Sequence, residues 1–206
     1  MKYEKLCARL DFDVSRETYD RLSGYHDLLL KWSKTHNLIG PRERDELWER
    51  HILDCLQVWP LVSSGRVIMD IGSGAGLPGI MLGCCAAETD DTELVLVESL
   101  QKRCVFLRTV VRELNLPVTV ENARIENVSR ETVDFITARA VTDLSGLIHY
   151  CEKWLDNSAI GVFLKGRNWK TELTQAKGYW NFNSDTTPSL SDSEGVILRI
   201  SEVSRV

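Results

Sequence analysis

The chain has 206 residues, a formal net charge of −5 and a hydrophobic fraction of 43%. This balance predicts one folded domain with room for a small extension, and it excludes a disordered chain. It also excludes a strongly basic nucleic-acid binder, so any RNA site must be a local basic patch on an acidic protein.

The amino-terminal sequence MKYEKLCARL carries charges where a secretory signal needs an apolar region. No apolar stretch is long enough to cross a bilayer. We therefore expect a cytoplasmic protein that has no membrane contact and acts as a monomer. The six cysteines show neither a C-x-x-C pair nor a His/Cys metal spacing, which predicts buried free thiols and no metal site.

Residues 1–60 are expected to form a helical extension to one compact unit over residues 61–206. Ser15 is placed to start a helix, and apolar side chains then recur at helical spacing as far as Trp32. The next segment is polar, and Gly40–Pro41 is expected to end the helix.

A second helix is predicted from about Arg42 to Trp59. Arg50, His51 and Asp54 lie on one side of it, which is unusual for a helix with a purely structural role. A lone histidine is more often a satisfied core residue than a functional one. Here the neighbouring arginine, and the aspartate one turn later, leave the two interpretations equally supported.

The stretch Arg66–Gly79, RVIMDIGSGAGLPG, predicts a strand, a tight turn and a helix. Val67–Ile71 has the length and apolarity of a strand. Pro78 suits a first helical turn because its missing N–H would have no partner there. The glycines permit positive φ angles and let backbone N–H groups approach a small ligand closely. The turn is therefore a candidate cofactor site.

Two classes of cofactor use such a turn. The sequence GAGLPG formally matches the dinucleotide fingerprint, so a nicotinamide or flavin enzyme is one alternative. However, the strand is predicted to end at Ile71, so the turn begins at Gly72, and Leu77 then stands where the third glycine belongs. Asp70 is a second objection, because a carboxylate there repels a pyrophosphate and favours a cationic ligand such as S-adenosylmethionine. A Walker-type phosphate loop is excluded because no Gly-Lys-Ser/Thr follows.

Glu93–Val97 is a second predicted strand, and Glu98 follows it directly. In doubly wound sheets an acidic residue at this position accepts hydrogen bonds from the ribose hydroxyls of a nucleoside. The alternative is a solvated loop carboxylate. The spacing from the glycine-rich turn favours the ribose role.

The rest of the chain continues the alternation of helix and strand. Predicted helices cover residues 78–87, 98–114 and 142–155, and predicted strands cover residues 116–120, 133–138, 159–164 and 195–203. Residues 181–194 are rich in Ser, Thr, Asn and Asp, which predicts a loop. Residues 179–182 would supply a seventh, antiparallel strand.

Polar residues or glycines follow the predicted parallel strands, where ligands bind in open α/β sheets. They are Gly72, Glu98, Asn122–Glu126, Arg139 and Lys165. Four basic residues lie on the outer face of the 98–114 helix: Lys102, Arg103, Arg108 and Arg112. This face is either an ordinary solvated surface or an RNA surface beside the site.

Seven motifs occur in one order over Trp32–Gly166: WSKTHNL, RHILD, DIGSGAGLPG, ESLQKR, ARIE, ARAV and LKG. In these motifs the chain resembles the bacterial 16S ribosomal RNA guanine-N7 methyltransferases, also called the glucose-inhibited-division B family. The resemblance implies an α/β fold, the class I S-adenosylmethionine-dependent methyltransferase fold. This fold has a Rossmann-like, mostly parallel seven-stranded sheet, here with an N-terminal helical extension.

The resemblance also implies a reaction and a partner. The methyl group of S-adenosylmethionine would be transferred to N7 of guanine 527 (bacterial nucleotide numbering) of 16S rRNA, leaving S-adenosylhomocysteine. The partner would be 16S rRNA in the small ribosomal subunit or in an assembly intermediate, and no metal is implied. The alternatives are a class I methyltransferase acting on a different RNA, a protein or a small molecule, and a catalytically silent rRNA-binding module.

Matching the motifs residue by residue implies two sets of contacts. The cofactor contacts are Asp70, Gly72, Ser73, Gly74, Gly76, Leu77, Glu98, Ile125, Glu126 and Arg139. The RNA contacts are Asn37, Arg50, His51, Lys102, Arg103 and Lys165. Arg139 and Lys165 would orient the substrate, while Lys102 and Arg103 are expected to border neither the turn nor the ribose site. Four residues depart from the family pattern: Ser33 replaces an asparagine, Ile39 a threonine, Cys55 a serine and Glu98 the commoner aspartate.

Overall fold

The computed structural model describes residues 1–40, 44–89 and 91–206. The strands are β1 Val67–Ile71, β2 Glu93–Val97, β3 Val118–Glu121, β4 Phe135–Arg139, β5 Ile160–Lys165, β6 Trp180–Pro188 and β7 Val196–Arg205. The helices include α1 Tyr3–Cys7, α2 Arg16–Ser33, α3 Leu53–Leu56, α4 Trp59–Val62, α5 Gly79–Ala86, α6 Gln101–Glu113, α7 Leu144–Leu155 and α8 Trp169–Ala176. A π-helical segment covers Leu47–Ile52 directly before α3, and a 3-10 turn covers Ile125–Asn127. None of the described helices is long and apolar enough to cross a membrane.

The seven strands form one sheet in the order β3-β2-β1-β4-β5-β7-β6. Strands β1 to β5 run parallel to one another, whereas β7 runs antiparallel to both β5 and β6. The order reverses direction between β1 and β4, so the connections that leave these two strands diverge. Open α/β sheets bind ligands in the crevice at this point, beyond the carboxyl ends of the strands.

The central strands are buried on both faces because helices cover both sides of the sheet. In β1, Ile68 belongs to one hydrophobic core and Met69 to the other, as expected for side chains that alternate across a strand. The first core joins one face of the sheet to the extension, α5 and α6. The second core joins the opposite face to α7.

Helix α2 begins at the predicted cap, where the Ser15 side chain accepts a hydrogen bond from the N–H of Thr18 at 2.9 Å. Leu22, Tyr25 and Leu29 recur at helical spacing and are fully buried. They pack in the first core together with side chains of β1 and α6. The boundary between the extension and the second unit stays a prediction, since one core spans both.

Helix α2 runs antiparallel to α5. Its first turn contacts the end of α5, where Thr18 Oγ1 donates to the carbonyl of Cys84 at 3.4 Å. Further along, Tyr25 Oη donates to the carbonyl of Ala75, in the turn before α5, at 2.9 Å. The carboxyl end of α2 therefore lies at the same edge of the sheet as the glycine-rich turn.

Strands β1 and β2 have the predicted bounds, and the prediction of a seventh, antiparallel strand is confirmed. The helix predicted over residues 42–59 is partly wrong. Its start lies outside the described residues, and within it the chain forms the π-helical segment and α3. A π-helical turn closes hydrogen bonds one residue further along than an α-turn, and hydrophobic periodicity does not reveal it.

The loop predicted over residues 181–194 is wrong for its first half, because β6 extends to Pro188. Trp180 is buried, but most of the side chains that follow it are exposed or half-exposed. Strand β6 is the last strand of the sheet, and an antiparallel edge strand exposes one face to water. Its polar composition therefore resembles that of a loop. Helix α8 was not anticipated either.

Candidate active site

Two clefts open at the carboxyl edge of the sheet. The first, here the turn cleft, is lined by Gly72 of the glycine-rich turn and by Ser99, Ile125, Glu126, Val141 and Tyr150, among others. The second, here the arginine cleft, is lined by residues that include Arg50, His51, Arg139, Thr142, Lys165 and Asp192. The turn cleft lies beside the end of β1, where the strand order reverses, and the arginine cleft lies beyond the ends of β4 and β5.

The segment that follows β4 separates the two clefts. Ala140 and Thr142 line the arginine cleft, while Val141 between them lines the turn cleft. Ala140 has a φ of +55°, a conformation that non-glycine residues rarely adopt outside functional or tightly determined sites. Successive residues of one short segment therefore face both clefts.

The turn requires glycine because of its positive φ angles and, at Gly72, because a side chain would collide with Val141. Gly72 and Gly74 have φ angles of +62° and +57°, which L side chains rarely adopt. A Cβ on Gly72 would lie 2.7 Å from Val141 Cγ2, whereas a Cβ on Gly74 would meet no atom nearer than 3.7 Å. The space beside Gly74 is therefore open, and a ligand can approach the backbone there.

Three turn residues predicted as cofactor contacts are buried and do not face the turn cleft: Asp70, Ser73 and Gly76. A Cβ on Gly76 would lie 2.5 Å from Ile80 Cγ1, so this glycine permits close packing against α5. Ser73 Oγ donates to the carbonyl of Asp70 at 2.9 Å. The prediction of direct contact is revised for these three residues, because they support the turn from below.

Asp70 is fully buried beneath the turn. Its Oδ1 accepts a hydrogen bond from Thr137 Oγ1 at 2.8 Å. Burial raises the pKa of this carboxyl from 3.8 to about 7, although the hydrogen bond from Thr137 acts in the opposite direction. Asp70 thus cannot touch a ligand in this conformation, and its charge is sensitive to pH near neutrality.

Glu98 connects the turn to the start of α6. Its carboxylate accepts from the N–H of Gly74 at 2.9 Å and from the N–H of Leu100 at 2.7 Å. Only 3% of the residue is exposed, so the alternative of a solvated loop carboxylate is wrong. A carboxylate offers about four acceptor positions, which leaves capacity for a ribose hydroxyl.

Arg103 borders this carboxylate, contrary to expectation. Its Nη1 lies 3.6 Å from Glu98 Oε2 and 3.9 Å from the position that a Cβ on Gly74 would take. Side chains near the start of a helix lean toward its amino end, and here that direction leads to the turn. Lys102, the preceding residue, is exposed. The expectation of independence from the turn and ribose site is therefore wrong for Arg103.

The far wall of the turn cleft contains predicted and unpredicted residues. Ile125 and Glu126 belong to the 3-10 turn and line the cleft as the motif match suggested. Ser99, Val141 and Tyr150 line it too, and sequence reasoning missed them. Tyr150 lies on a helix whose pattern indicates only an exposed position, so no sequence signal marks it.

Arg139 is the central cation of the arginine cleft. Its Nη1 donates to Cys55 Sγ at 3.3 Å, and its Nη2 donates to the carbonyl of Arg50 at 3.4 Å. Nη2 also lies 2.6 Å from His51 Nδ1. Burial raises the pKa of the Cys55 thiol to about 12, so this sulfur stays protonated at neutral pH. The structure thus joins the end of β4 to the helical extension.

Lys165 lines the same cleft, but its charge is already paired. Nζ donates to Glu172 Oε2 and to the carbonyl of Thr142, both at 2.8 Å, and only 7% of its side chain is exposed. Glu172 also accepts from the N–H of Leu144 at 2.9 Å. Lys165 therefore ties β5 to the start of α7. Direct contact with RNA stays a prediction for Lys165, since two of the three N–H donors of its ammonium are engaged inside the protein.

The loop 189–195 forms another wall of the arginine cleft, which sequence reasoning missed. Ser189 Oγ donates to Asp54 Oδ1 at 2.5 Å, and Ser191 Oγ donates to the carbonyl of Arg50 at 3.3 Å. Asp54 is therefore occupied in holding this loop against the extension.

Two further predicted contacts lie outside both clefts. Asn37 is exposed beyond the end of α2 with a φ of +34°. At the same end of α2, the ring of Trp32 lies 5.5 Å from that of Phe106 in α6. The segment that holds Asn37 therefore lies at the same edge of the sheet as Lys102, which is one turn before Phe106. Leu77 is half-buried and packs against the first core.

Among the described residues, no group of three His, Cys, Asp or Glu side chains is placed to hold a metal.

Comparisons with known proteins agree with this geometry. The model of the family rRNA small subunit methyltransferase G matches residues 18–196. The ribosomal RNA small subunit methyltransferase G of Ruegeria sp. strain TM1040 is 42% identical over 97% of this chain and 98% of its own. That of Paramagnetospirillum magneticum is 44% identical over 93% of this chain and 92% of its own.

Solved structures support the fold independently. An O-methyltransferase from Bacillus cereus, determined in complex with S-adenosylhomocysteine (SAH), superposes with a TM-score of 0.58 over 96% of both chains at 14% identity. At this identity the likeness shows the fold alone, which is that of S-adenosylmethionine-dependent methyltransferases. From the family match and the identities to its relatives, the chain belongs to the rRNA small subunit methyltransferase G family.

Proposed function

We propose that this protein transfers a methyl group from S-adenosylmethionine to N7 of guanine 527 (bacterial nucleotide numbering) in 16S rRNA, releasing S-adenosylhomocysteine. One observation carries the proposal. The Ala140–Thr142 segment borders the turn cleft, beside Gly72, on one side and a cleft centred on Arg139 on the other. A methyl donor in the turn cleft and an RNA base in the arginine cleft would meet across this short segment.

The turn cleft fits a nucleoside with a cationic amino-acid tail. The backbone beside Gly74 is open, and Glu98 retains acceptor capacity for a ribose hydroxyl. Ile125 and Tyr150 offer apolar surface for an adenine. The buried carboxylate of Asp70 adds negative potential below the turn when it is ionised. When bound, S-adenosylmethionine supplies a methyl group activated by its sulfonium.

Methylation of guanine N7 makes modest demands on the protein. N7 carries an accessible lone pair, so no proton has to leave before attack, and no general base is needed. The rate then depends on proximity and in-line orientation. The methylated base is cationic, so Arg139 is expected to donate to O6 or to a phosphate instead of facing the ring. Because Lys165 is paired with Glu172, we assign substrate orientation to Arg139.

RNA would be held by local cations on a protein of net charge −5. Exposed basic residues at this edge are Arg50, Lys102 and Arg167. Phosphate contacts of this kind position RNA and make binding sensitive to salt. We expect a cytoplasmic monomer that acts on the small ribosomal subunit or on an assembly intermediate.

The test is transfer of tritiated methyl groups to small subunits that lack the modification, with naked 16S rRNA in parallel. We expect label at one guanine, recovered as N7-methylguanosine after digestion. Label on another base, or on a protein, would support a class I methyltransferase with a different substrate. Binding of a nicotinamide cofactor in place of S-adenosylmethionine would support the dehydrogenase alternative.

A further inference from the structure

The guanidinium of Arg139 is held by one short stretch of the extension. His51 Nδ1, the carbonyl of Arg50 and the sulfur of Cys55 accept from it at 2.6, 3.4 and 3.3 Å. His51 is 88 positions away in the sequence, so the contact is purely tertiary. Three of the five N–H donors of an arginine are thereby directed at residues 50–55.

The contact determines the protonation of His51. A guanidinium has donors only, so Nδ1 of the imidazole must accept, and the ring proton is on Nε2. His51 is then neutral in this arrangement. A second positive charge at 2.6 Å from Nη2 would be repelled by the first. His51 is therefore not the phosphate-binding cation that its position next to Arg50 suggests.

The geometry points to a different role. We propose that His51 and Cys55 are positioning residues that hold the Arg139 guanidinium in the orientation needed toward the target guanine. This inference depends on the proposed function, in which Arg139 touches the substrate. A free arginine side chain samples many rotamers, and a misplacement of about 1 Å costs roughly 100-fold in rate. A restrained arginine avoids this loss.

The other charged groups near Arg139 have partners of their own, so His51 is the main residue that positions Arg139. The other buried cation of the cleft, Lys165, is directed at Glu172. Asp54, between His51 and Cys55, accepts from Ser189. A thiol is a weak acceptor, so the 2.6 Å contact of His51 is the stronger restraint on Arg139.

Matched variants separate positioning from phosphate binding. His51→Asn keeps an acceptor near the position of Nδ1, whereas His51→Leu removes it. Cys55→Ser and Cys55→Ala form the same kind of pair. We expect His51→Leu to lower kcat roughly 10- to 100-fold, with KM for the small subunit and the salt dependence of binding unchanged. We expect His51→Asn to recover most of the loss, and Cys55→Ala to lower kcat less than His51→Leu does.

A double-mutant cycle supplies the decisive comparison. If His51 acts through Arg139, His51→Leu has no further effect on kcat once Arg139→Ala is present. A salt slope shallower by about one, with additive effects in the cycle, would show a phosphate contact and overturn the proposal. Equal loss in the His51→Asn and His51→Leu variants, at equal melting temperature, would overturn it too.

Nitrogen NMR of the wild-type protein tests the contact without any activity. We expect an unprotonated Nδ1 on His51, whose resonance moves in Arg139→Ala. A proton on Nδ1 would overturn the proposal even if every variant failed to fold. If the wild type transferred no methyl group to small subunits but showed this NMR signature, the proposed function would fail while the contact stood.

Discussion

The two clefts differ in how they are built. The turn cleft is built beside the glycine-rich turn, where the N–H groups of Gly74 and Leu100 both donate to Glu98, 24 positions after Gly74. The arginine cleft is assembled from four segments that are far apart: residues 50–55, Arg139, Lys165 with Glu172, and the loop 189–195. The glycine-rich turn and Glu98 can therefore be recognised from short sequence motifs. A cleft made of paired side chains, in contrast, depends on the whole fold.

The clefts also differ in charge. Asp70 and Glu98 are buried carboxylates at the turn cleft, while Arg139 and Lys165 are buried or half-buried cations at the arginine cleft. The first suits a cationic methyl donor. The second is also lined by Asp54, Glu172 and Asp192, so Arg139 is its central cation for an anionic RNA. Variants that affect one cleft and spare the other test whether the two clefts bind different ligands.

The largest effect is expected from Gly74→Val. Its φ of +57° is unfavourable for a β-branched residue, and its side chain would occupy the open space beside the turn. We expect affinity for S-adenosylmethionine to fall about 100-fold or more, equivalent to about 2.8 kcal/mol. Gly166→Val in the arginine cleft, where a Cβ meets nothing within 4 Å, is the control and should retain affinity. Calorimetry on folded variants decides, and unchanged affinity in Gly74→Val would remove the cofactor assignment.

Glu98→Ala comes next. If the carboxylate accepts ribose hydroxyls, cofactor binding should weaken by about 1.5–3 kcal/mol, as for hydrogen bonds to a charged group. The structure adds a second consequence, because the N–H groups of Gly74 and Leu100 lose their acceptor. Melting temperature should therefore fall as well. Less than a twofold change in Kd would show that Glu98 only braces the turn.

Asp70→Asn tests the buried carboxylate below the turn. The native pKa of about 7 exceeds the ordinary 3.8, so the native state binds this proton more tightly than the unfolded chain does. The corresponding stability is complete below the unfolded pKa and is lost as pH rises through about 7. Between these values the wild type should lose up to about 1.4 kcal/mol per pH unit relative to Asp70→Asn. Chemical denaturation across this range measures the difference, and parallel curves would contradict it.

The smallest effects are expected on the surface of α6. Lys102→Ala should leave cofactor affinity unchanged and make the salt dependence of subunit binding shallower by roughly one unit. Arg103→Ala should also weaken cofactor binding, by less than about 1 kcal/mol because its pair with Glu98 is half-exposed. Equal behaviour of the two variants in both assays would mean that Arg103 does not border the cofactor site.

Sequence reasoning succeeded where one element carries its own signal. Ser15 caps α2 as predicted, and β1 and β2 have the predicted bounds. It failed where neighbours decide. Strand β6 has a loop-like composition because it is an edge strand, and the π-helical segment is invisible to periodicity. The sequence predicts that Arg103 is independent of the turn, because it shows the charge of the side chain and not the direction in which that side chain points.

The parallel sheet, the glycine-rich turn and the acidic residue after β2 can all be predicted from the sequence alone. These depend on alternation, on positive φ angles and on short spacing, all of which are local properties of a chain. Which charged side chains pair inside the protein depends on the folded arrangement of distant segments. Lys165 and Glu172 pair, Asp54 holds the loop 189–195, and the Arg139 guanidinium meets His51. A charged side chain takes its role from the partners that folding brings within hydrogen-bond reach, and spacing along the chain does not report those partners.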